Sequence, residues 1–207
     1  MMSPRPRQLI GVLGTQTEIG KTWVATQLLS QARSKGLHVA ARKPVQSFDP
    51  AQGPTDAQQL AAATGEQPDD VCPQHRNYPL ALAPPMAADL LARPRITLDE
   101  LIDEIRWPGH IDIGLVETVG GPRSPLSHDA DSVDLIRRLR PDRVLLVADA
   151  GLGTLNAVRL SLASVEPLMA TVLLNRFDTA NELHRLNREW LTQRYRVSVV
   201  TDVAELL

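Results

Sequence analysis

Gly14-Thr15-Gln16-Thr17-Glu18-Ile19-Gly20-Lys21-Thr22 decides how the rest of this chain reads. The apolar run 9–13 leads into it, and a helically spaced run, 21–35, leads out and stops at Gly36, a residue suited to the left-handed position just past a helix. A glycine-rich turn between a strand and a helix aims successive backbone N–H groups into one concavity, and the helix N-terminus adds positive potential there. Phosphate oxygens fit that concavity. In such a loop the lysine reaches the β- and γ-phosphates and the following hydroxyl is placed to ligate Mg²⁺. These are the expected tasks of Lys21 and Thr22. Five residues separate Gly14 from Gly20, one more than in the usual G-x-x-x-x-G-K-[ST] spacing. The Gly-Lys-Thr ending and the strand–loop–helix setting keep the match specific.

Working outward, the apolar runs 37–41, 111–117, 143–149, 170–175 and 196–201 read as further strands. Between them, 56–64 reads as a helix closed by Gly65, and 181–195 as another. Thr97 and Glu100 form a capping box for a helix running to about residue 105. The proline-rich segment 67–94 reads as a packed, irregular excursion with one helix near residues 86–92. Strands that are apolar throughout and alternate with helices indicate a mainly parallel sheet covered on both faces. The expected fold is therefore α/β: a single-domain, doubly wound, Rossmann-like three-layer α/β/α structure of the P-loop NTPase type. It spans residues 1–207, with 1–7 as a flexible N-terminus.

Bulk composition excludes several classes. The chain has 207 residues, 43% hydrophobic and 22% charged, with a formal net charge of -2. That balance argues against broad electrostatic binding of nucleic acid or of an anionic membrane. No stretch approaches the roughly 20 apolar residues of a membrane-spanning helix. The single cysteine, Cys72, leaves no internal disulfide framework and suits a reducing cytoplasm, the expected location. The five histidines, at 38, 75, 110, 128 and 184, lack metal-ligand spacing and read as surface or loop residues.

In an open parallel sheet ligands gather at the carboxyl ends of the strands. Here those ends carry Lys43 and Ser47, then Glu117 before Gly120-Gly121, Asp149 before a glycine loop, and Asn175 beside Arg176. Asp56 follows the second strand. Thr22, Asp56 and Glu117 with phosphate oxygens suit a hard Mg²⁺ site. A buried carboxylate such as Glu117 is costly without a cation. Lys43 can neutralise charge on a transferring phosphoryl group or an oxyanion. Asp149 fits equally well as a brace of its own glycine loop.

Taken together these residues resemble the dethiobiotin synthetase family, ATP-dependent carboxylase-cyclases of biotin synthesis. The resemblance covers residues 9–175 and rests on the phosphate loop with its extra residue. It rests also on Lys43-Pro44-Val45-Gln46-Ser47, Thr55-Asp56-Ala57, Pro84-Pro85-Met86-Ala87-Ala88, Val116-Glu117 with Gly120-Gly121, and Gly151-Leu152-Gly153-Thr154-Leu155-Asn156. It implies ATP and Mg²⁺ as cofactors and 7,8-diaminononanoate and carbon dioxide as substrates. One amine would capture carbon dioxide as a carbamate, the carbamate would attack the γ-phosphate of ATP, and the second amine would close the cyclic urea.

By the same resemblance Gly14, Thr15, Gln16, Thr17, Glu18, Ile19, Gly20, Lys21 and Thr22 would cradle the nucleotide, with Glu117, Gly120, Asn175 and Arg176 also lining it and Asn175 on the adenine edge. Lys21 and Lys43 would act on the carbamate and the phosphoryl group. Thr17 and Ser47 would hydrogen-bond the carbamate or substrate, and Gly120 and Gly121 would let the backbone approach it. Thr22, Asp56 and Glu117 would hold Mg²⁺. The loop of Gly151, Gly153, Thr154, Leu155 and Asn156 would hold the substrate carboxylate across a homodimer.

Two departures stand out. Family members commonly have Glu-Gly-Ala-Gly-Gly where this chain has Glu117-Thr118-Val119-Gly120-Gly121, and this chain ends at Leu207, soon after its last strand. Two other functions share the loop. A partitioning or regulatory ATPase switch usually carries an early lysine in the loop, where this chain has Thr15, Gln16 and Thr17. A related ligase on another amine or acid is the second.

Overall fold

The computed structural model describes residues 5–207. Six strands form one parallel sheet: β1 (Gln8–Gly14), β2 (Val39–Arg42), β5 (Ile113–Glu117), β6 (Arg143–Asp149), β7 (Ala170–Asn175) and β8 (Val199–Val200), in the spatial order β2-β5-β1-β6-β7-β8. A two-stranded parallel pair, β3 (Gln46–Ser47) and β4 (Asn77–Tyr78), lies outside it. The helices are α1 (Lys21–Ser34), α2 (Asp56–Thr64), α3 (Pro68–Val71), α4 (Pro84–Leu90), α5 (Leu98–Glu104), α6 (Ser132–Leu139), α7 (Thr154–Val165) and α8 (Glu182–Glu189).

The strands are apolar on both faces, and alternate residues serve opposite layers. Ile10 and Val12 of β1 and Leu145 and Val147 of β6 pack with Val24, Leu28 and Leu29 of α1 and Leu60 of α2. Leu13 of β1 and Val144 and Leu146 of β6 pack instead with Ile136 of α6 and Val158 of α7. Leu9 and Val116 meet Leu101 of α5 and Leu135 of α6. This is the expected three-layer arrangement. The register sets Val12 beside Glu117, Gly14 beside Val147 and Asp149 beside Asn175. The strand ends that carry the chemistry therefore lie along one edge, with the phosphate loop at its centre.

Several boundaries move. The second strand begins at Val39 rather than 37, and the last spans only Val199–Val200 rather than 196–201. Arg196 there takes a left-handed φ of 54°, which a β-strand does not accommodate. The helix expected over 181–195 is α-helical only to Glu189 and continues as a π-helical turn, Trp190–Arg194. Of the N-terminus, residues 1–4 lie outside the described residues. Arg5–Arg7 are tied down instead of free. Pro6 is buried, Arg7 N–H donates to the Ile111 carbonyl at 2.9 Å, and the Arg5 guanidinium donates to the Arg140 carbonyl at 2.7 Å.

Thr97 and Glu100 close their capping box on α5, the Thr97 hydroxyl accepting from Glu100 N–H and the Glu100 side chain accepting from Thr97 N–H. Thr97→Ala is expected to lower unfolding stability by about 1 kcal/mol in urea titration.

Candidate functional site

The phosphate loop is held in shape from behind. Gly20, the N-cap of α1, has φ 93° and ψ 27°. A Cβ there would stand 2.2 Å from Asn175 Nδ2, so glycine is required both by backbone conformation and by space. The Asn175 amide donates to the Ile19 carbonyl at 2.9 Å, and the Arg176 guanidinium to the Glu18 carbonyl at 3.2 Å. Glu18, a non-glycine residue at φ 59°, marks local strain of the kind stored at functional sites. Asn175 and Arg176, expected along the nucleotide, thus also brace the loop.

Lys43 is the centre of the site. Its side chain is 2% exposed, and its ammonium lies 2.6 Å from Glu117 Oε1 and 2.7 Å from Asp56 Oδ2 and donates to the Thr118 carbonyl at 3.1 Å. Thr22 Oγ1 lies 2.8 Å from Asp56 Oδ1 and 2.9 Å from Glu117 Oε1. One hydroxyl hydrogen cannot serve two carboxylates at once, and the second buried oxygen of Glu117, Oε2, has no partner. Three oxygen-bearing side chains therefore converge with unspent acceptor capacity, the donor set that a hard divalent cation takes.

The titration behaviour follows from this crowding. Burial alone lowers the Lys43 pKa, but the charges of Asp56 and Glu117 outweigh it and hold the ammonium firmly protonated. Burial raises Asp56, yet Lys43 and the Thr22 hydroxyl bring it below the usual carboxylate range. Burial keeps Glu117 above that range even though Lys43 pulls it down. Lys21 is lowered to about 8, first by burial and then by repulsion from Lys43. Its ammonium donates to the Gly120 carbonyl at 3.0 Å, which ties the loop to the turn after β5.

That turn fits closely. Gly120 has φ 51°, and a Cβ on it would meet Ser124 Oγ at 2.2 Å and Thr17 Oγ1 at 3.5 Å. Thr17 therefore stands beside Gly120. Ser124 Oγ accepts from Gly121 N–H at 2.8 Å, and a Cβ on Gly121 would meet the Thr15 carbonyl at 3.1 Å. Thr118, at the position where the resemblance leads one to expect glycine, is buried and donates its hydroxyl to the Val12 carbonyl at 3.0 Å. Its side chain is turned toward β1.

Other expected residues are placed differently. The Ser47 hydroxyl donates to the Leu82 carbonyl, outside the Lys43 cluster. Asp149 braces its own loop, Oδ1 accepting from Gly151 N–H at 2.7 Å. The Asn187 amide supports the same loop, donating to the Ala150 and Gly151 carbonyls at 2.9 Å each. Gly153 caps α7 at φ 92°. Leu152 is 93% exposed, and Asn156 is exposed beside it.

Sequence reasoning missed Ser124, Asn187 and Gln46. Gln46 accepts from Ala57 N–H at 3.0 Å and so fixes the start of α2, where Asp56 sits. Its place inside Lys43–Ser47 was the available signal. Cys72 is fully buried, and burial pushes its thiol up to about 12, which removes it from nucleophilic chemistry.

A phosphate-cradling loop on the central strand of a parallel sheet, with lysine and hydroxyl opening the next helix, defines a P-loop nucleotide-binding protein. The comparisons agree and narrow the class. Residues 8–206 match the family model described as an AAA domain. The ATP-dependent dethiobiotin synthetase of Caulobacter vibrioides is 45% identical over 150 residues, 69% of this chain and 67% of that one. The enzyme of the same name from Haloferax mediterranei is 34% identical over 194 residues, 92% of this chain and 81% of that one.

In fold the chain is similar to the signal recognition particle receptor FtsY from Elizabethkingia anophelis (TM-score 0.54, 16% identity, 100% of this chain and 63% of that one). It is also similar to a plasmid-partition-type protein from Borrelia burgdorferi B31 (TM-score 0.52, 13% identity, 98% and 90%). The chain belongs to the dethiobiotin synthetase family.

Removing Lys43 leaves Glu117 and Asp56 without their cation. Lys43→Met is expected to cost about 3 kcal/mol or more at pH 8. Glu117, already held above its ordinary value, then binds a proton in the folded state more tightly than in the unfolded one. That contribution is lost as pH rises through the folded pKa and regained as pH falls. The deficit against the parent protein should therefore shrink between pH 8 and pH 5.5 in urea titrations.

Proposed function

We propose that the chain is an ATP-dependent dethiobiotin synthetase. On this reading it carboxylates 7,8-diaminononanoate, phosphorylates the carbamate and closes the cyclic urea. The observation that carries this reading is the pair of buried lysines, Lys21 and Lys43, arranged with Thr22, Asp56 and Glu117 around one phosphate loop. A nucleotide switch needs only the loop and its lysine. A ligase must also hold a second anion against the γ-phosphate, and Lys43 supplies the extra positive charge.

The chemistry needs little covalent help from the protein, because phosphoryl transfer is driven by positioning and charge neutralisation. The loop amides and Lys21 hold the β- and γ-phosphates. Lys43 faces the carbamate oxygen as it attacks and the phosphate as it leaves. Thr17, exposed beside Gly120, is placed to hydrogen-bond the carbamate, and the glycine pair leaves room for it. Ser47 acts at the substrate end once its bond to Leu82 yields. Asn175 and Arg176 serve the nucleotide while bracing the loop.

Mg²⁺ fits the donor set of Thr22, Asp56 and Glu117, the orphaned Glu117 Oε2 above all. When bound it would neutralise phosphate charge. With Lys43 now paired to the same carboxylates, metal loading would free the ammonium for the transferring group.

The loop of Gly151, Gly153, Thr154, Leu155 and Asn156 would complete the carboxylate end of the substrate site across a homodimer. A nearly bare Leu152 and a buried Thr154 hydroxyl without a partner support that reading. No helix among the described residues is long and apolar enough to cross a membrane. The lone buried thiol of Cys72 suits a reducing cytoplasm.

Phosphate release should require the diamine, bicarbonate and Mg²⁺ together, and equal turnover without the diamine would overturn the ligase reading. Lys43→Met, at a pH where it is folded, should keep nucleotide affinity within a few-fold in calorimetry and lose roughly 10²-fold or more in turnover.

A further inference from the structure

Across the sheet from the phosphate loop, where β2 and β5 begin, two histidines share one carboxylate. His38 Nδ1 lies 3.3 Å from Asp112 Oδ2, and His110 Nε2 lies 3.3 Å from Asp112 Oδ1. The ligand atoms of the three residues all lie within 4.8 Å of one another. The rings stand edge to face with centroids 5.9 Å apart.

Sequence spacing hid this set, since His38 and His110 lie far apart along the chain. The pairing of β2 with β5 brings them together, and two hydrogen bonds fix His38 against Asp112. His38 N–H donates to Asp112 Oδ2 at 3.0 Å, and Asp112 N–H donates to the His38 carbonyl at 2.8 Å.

The spacing is informative. An N–H···O hydrogen bond settles near about 2.9 Å, so both contacts are long for that purpose. Ligands held about 2.0–2.2 Å from one tetrahedral ion stand about 3.3 Å from each other. Each histidine nitrogen has that separation from its own carboxylate oxygen, and with the whole set inside 4.8 Å a small rotation of the exposed rings brings both onto one ion. Two imidazoles and a carboxylate suit Zn²⁺ and its borderline neighbours, and not Mg²⁺ or Ca²⁺, which take oxygen donors. The Arg7 guanidinium, 3.3 Å from Asp112 Oδ1, competes for the same carboxylate, but its side chain is 73% exposed and free to swing away.

We propose that His38, His110 and one oxygen of Asp112 form a divalent transition-metal site of the Zn²⁺ class, completed by solvent and separate from the all-oxygen site at Thr22, Asp56 and Glu117. Bound metal would clamp the start of β2 to the start of β5 and raise the stability of the folded chain.

The test uses the untagged full chain, with Zn²⁺ calorimetry in excess Mg²⁺ and visible absorption of bound Co²⁺. One Zn²⁺ per chain is expected, undisturbed by Mg²⁺. Loss of a supporting residue around a metal already weakens affinity about 10–100-fold, so His110→Ala and His38→Ala should each weaken it at least tenfold. Arg7→Ala should tighten it. His110→Ala should leave metal-free unfolding and dethiobiotin formation unchanged, since its ring is exposed and remote from the phosphate loop. Absence of Zn²⁺ binding, displacement by Mg²⁺, or parental affinity in both histidine variants would overturn the site and leave a solvated hydrogen-bonded cluster.

Discussion

The ammonium of Lys43 sits in the interior between two carboxylates, and the arrangement of the site follows from that contact. A buried charge is tolerated only when paired. Lys43 therefore fixes the positions of Asp56, at the start of α2, and Glu117, at the end of β5. Thr22, at the start of α1, joins the same cluster through both carboxylates. One interaction thus ties together the phosphate loop helix, the helix after β3 and the strand beside β1. The arrangement is stable and yet unfinished, because Glu117 Oε2 lacks a partner and two carboxylates crowd one hydroxyl.

The loop itself is rigid for a different reason. Its carbonyls are held by side chains of the protein. Asn175 takes Ile19, Arg176 takes Glu18, and Lys21 reaches Gly120. Asn175 and Arg176 reach the loop from the end of β7, and Lys21, at the start of α1, ties it to the turn after β5. The parallel sheet matters here because it brings the carboxyl ends of β1, β5 and β7 to one edge. Lys21, depressed by burial and by Lys43, is a weakly held cation until phosphate charge arrives. Preorganisation of this kind costs stability locally and lowers the reorganisation needed during reaction.

The parts legible in sequence were those governed by local chemistry. The phosphate loop, the continuous apolar runs of β1, β6 and β7, and the capping box at Thr97 each declare themselves within a few residues. Lys43, Asp56 and Glu117 were recognisable as candidates because lysines and acids at the ends of apolar strands demand partners. What stayed hidden was set by tertiary contact. The pair β3–β4 spans two residues on each strand, too short for any periodicity. The bond from Ser47 to Leu82, the support of the Gly151 loop by Asn187, and the convergence of His38 with His110 join positions that no spacing rule connects. Thr118 was a departure whose meaning lay in its direction, and only the fold shows it turned toward Val12.

On the proposed reading, Lys43 and the phosphate loop bring a carbamate oxygen, and not water, onto the γ-phosphate. Oxygen labelling reads this directly. If the carbamate attacks and its oxygen then departs with the phosphate, each turnover carries one carbon dioxide oxygen into inorganic phosphate. With ¹⁸O-labelled carbon dioxide, supplied faster than it exchanges with water, mass spectrometry of the released phosphate should find one ¹⁸O per molecule formed. Phosphate whose one added oxygen comes from solvent would contradict this route and identify the reaction as nucleotide hydrolysis.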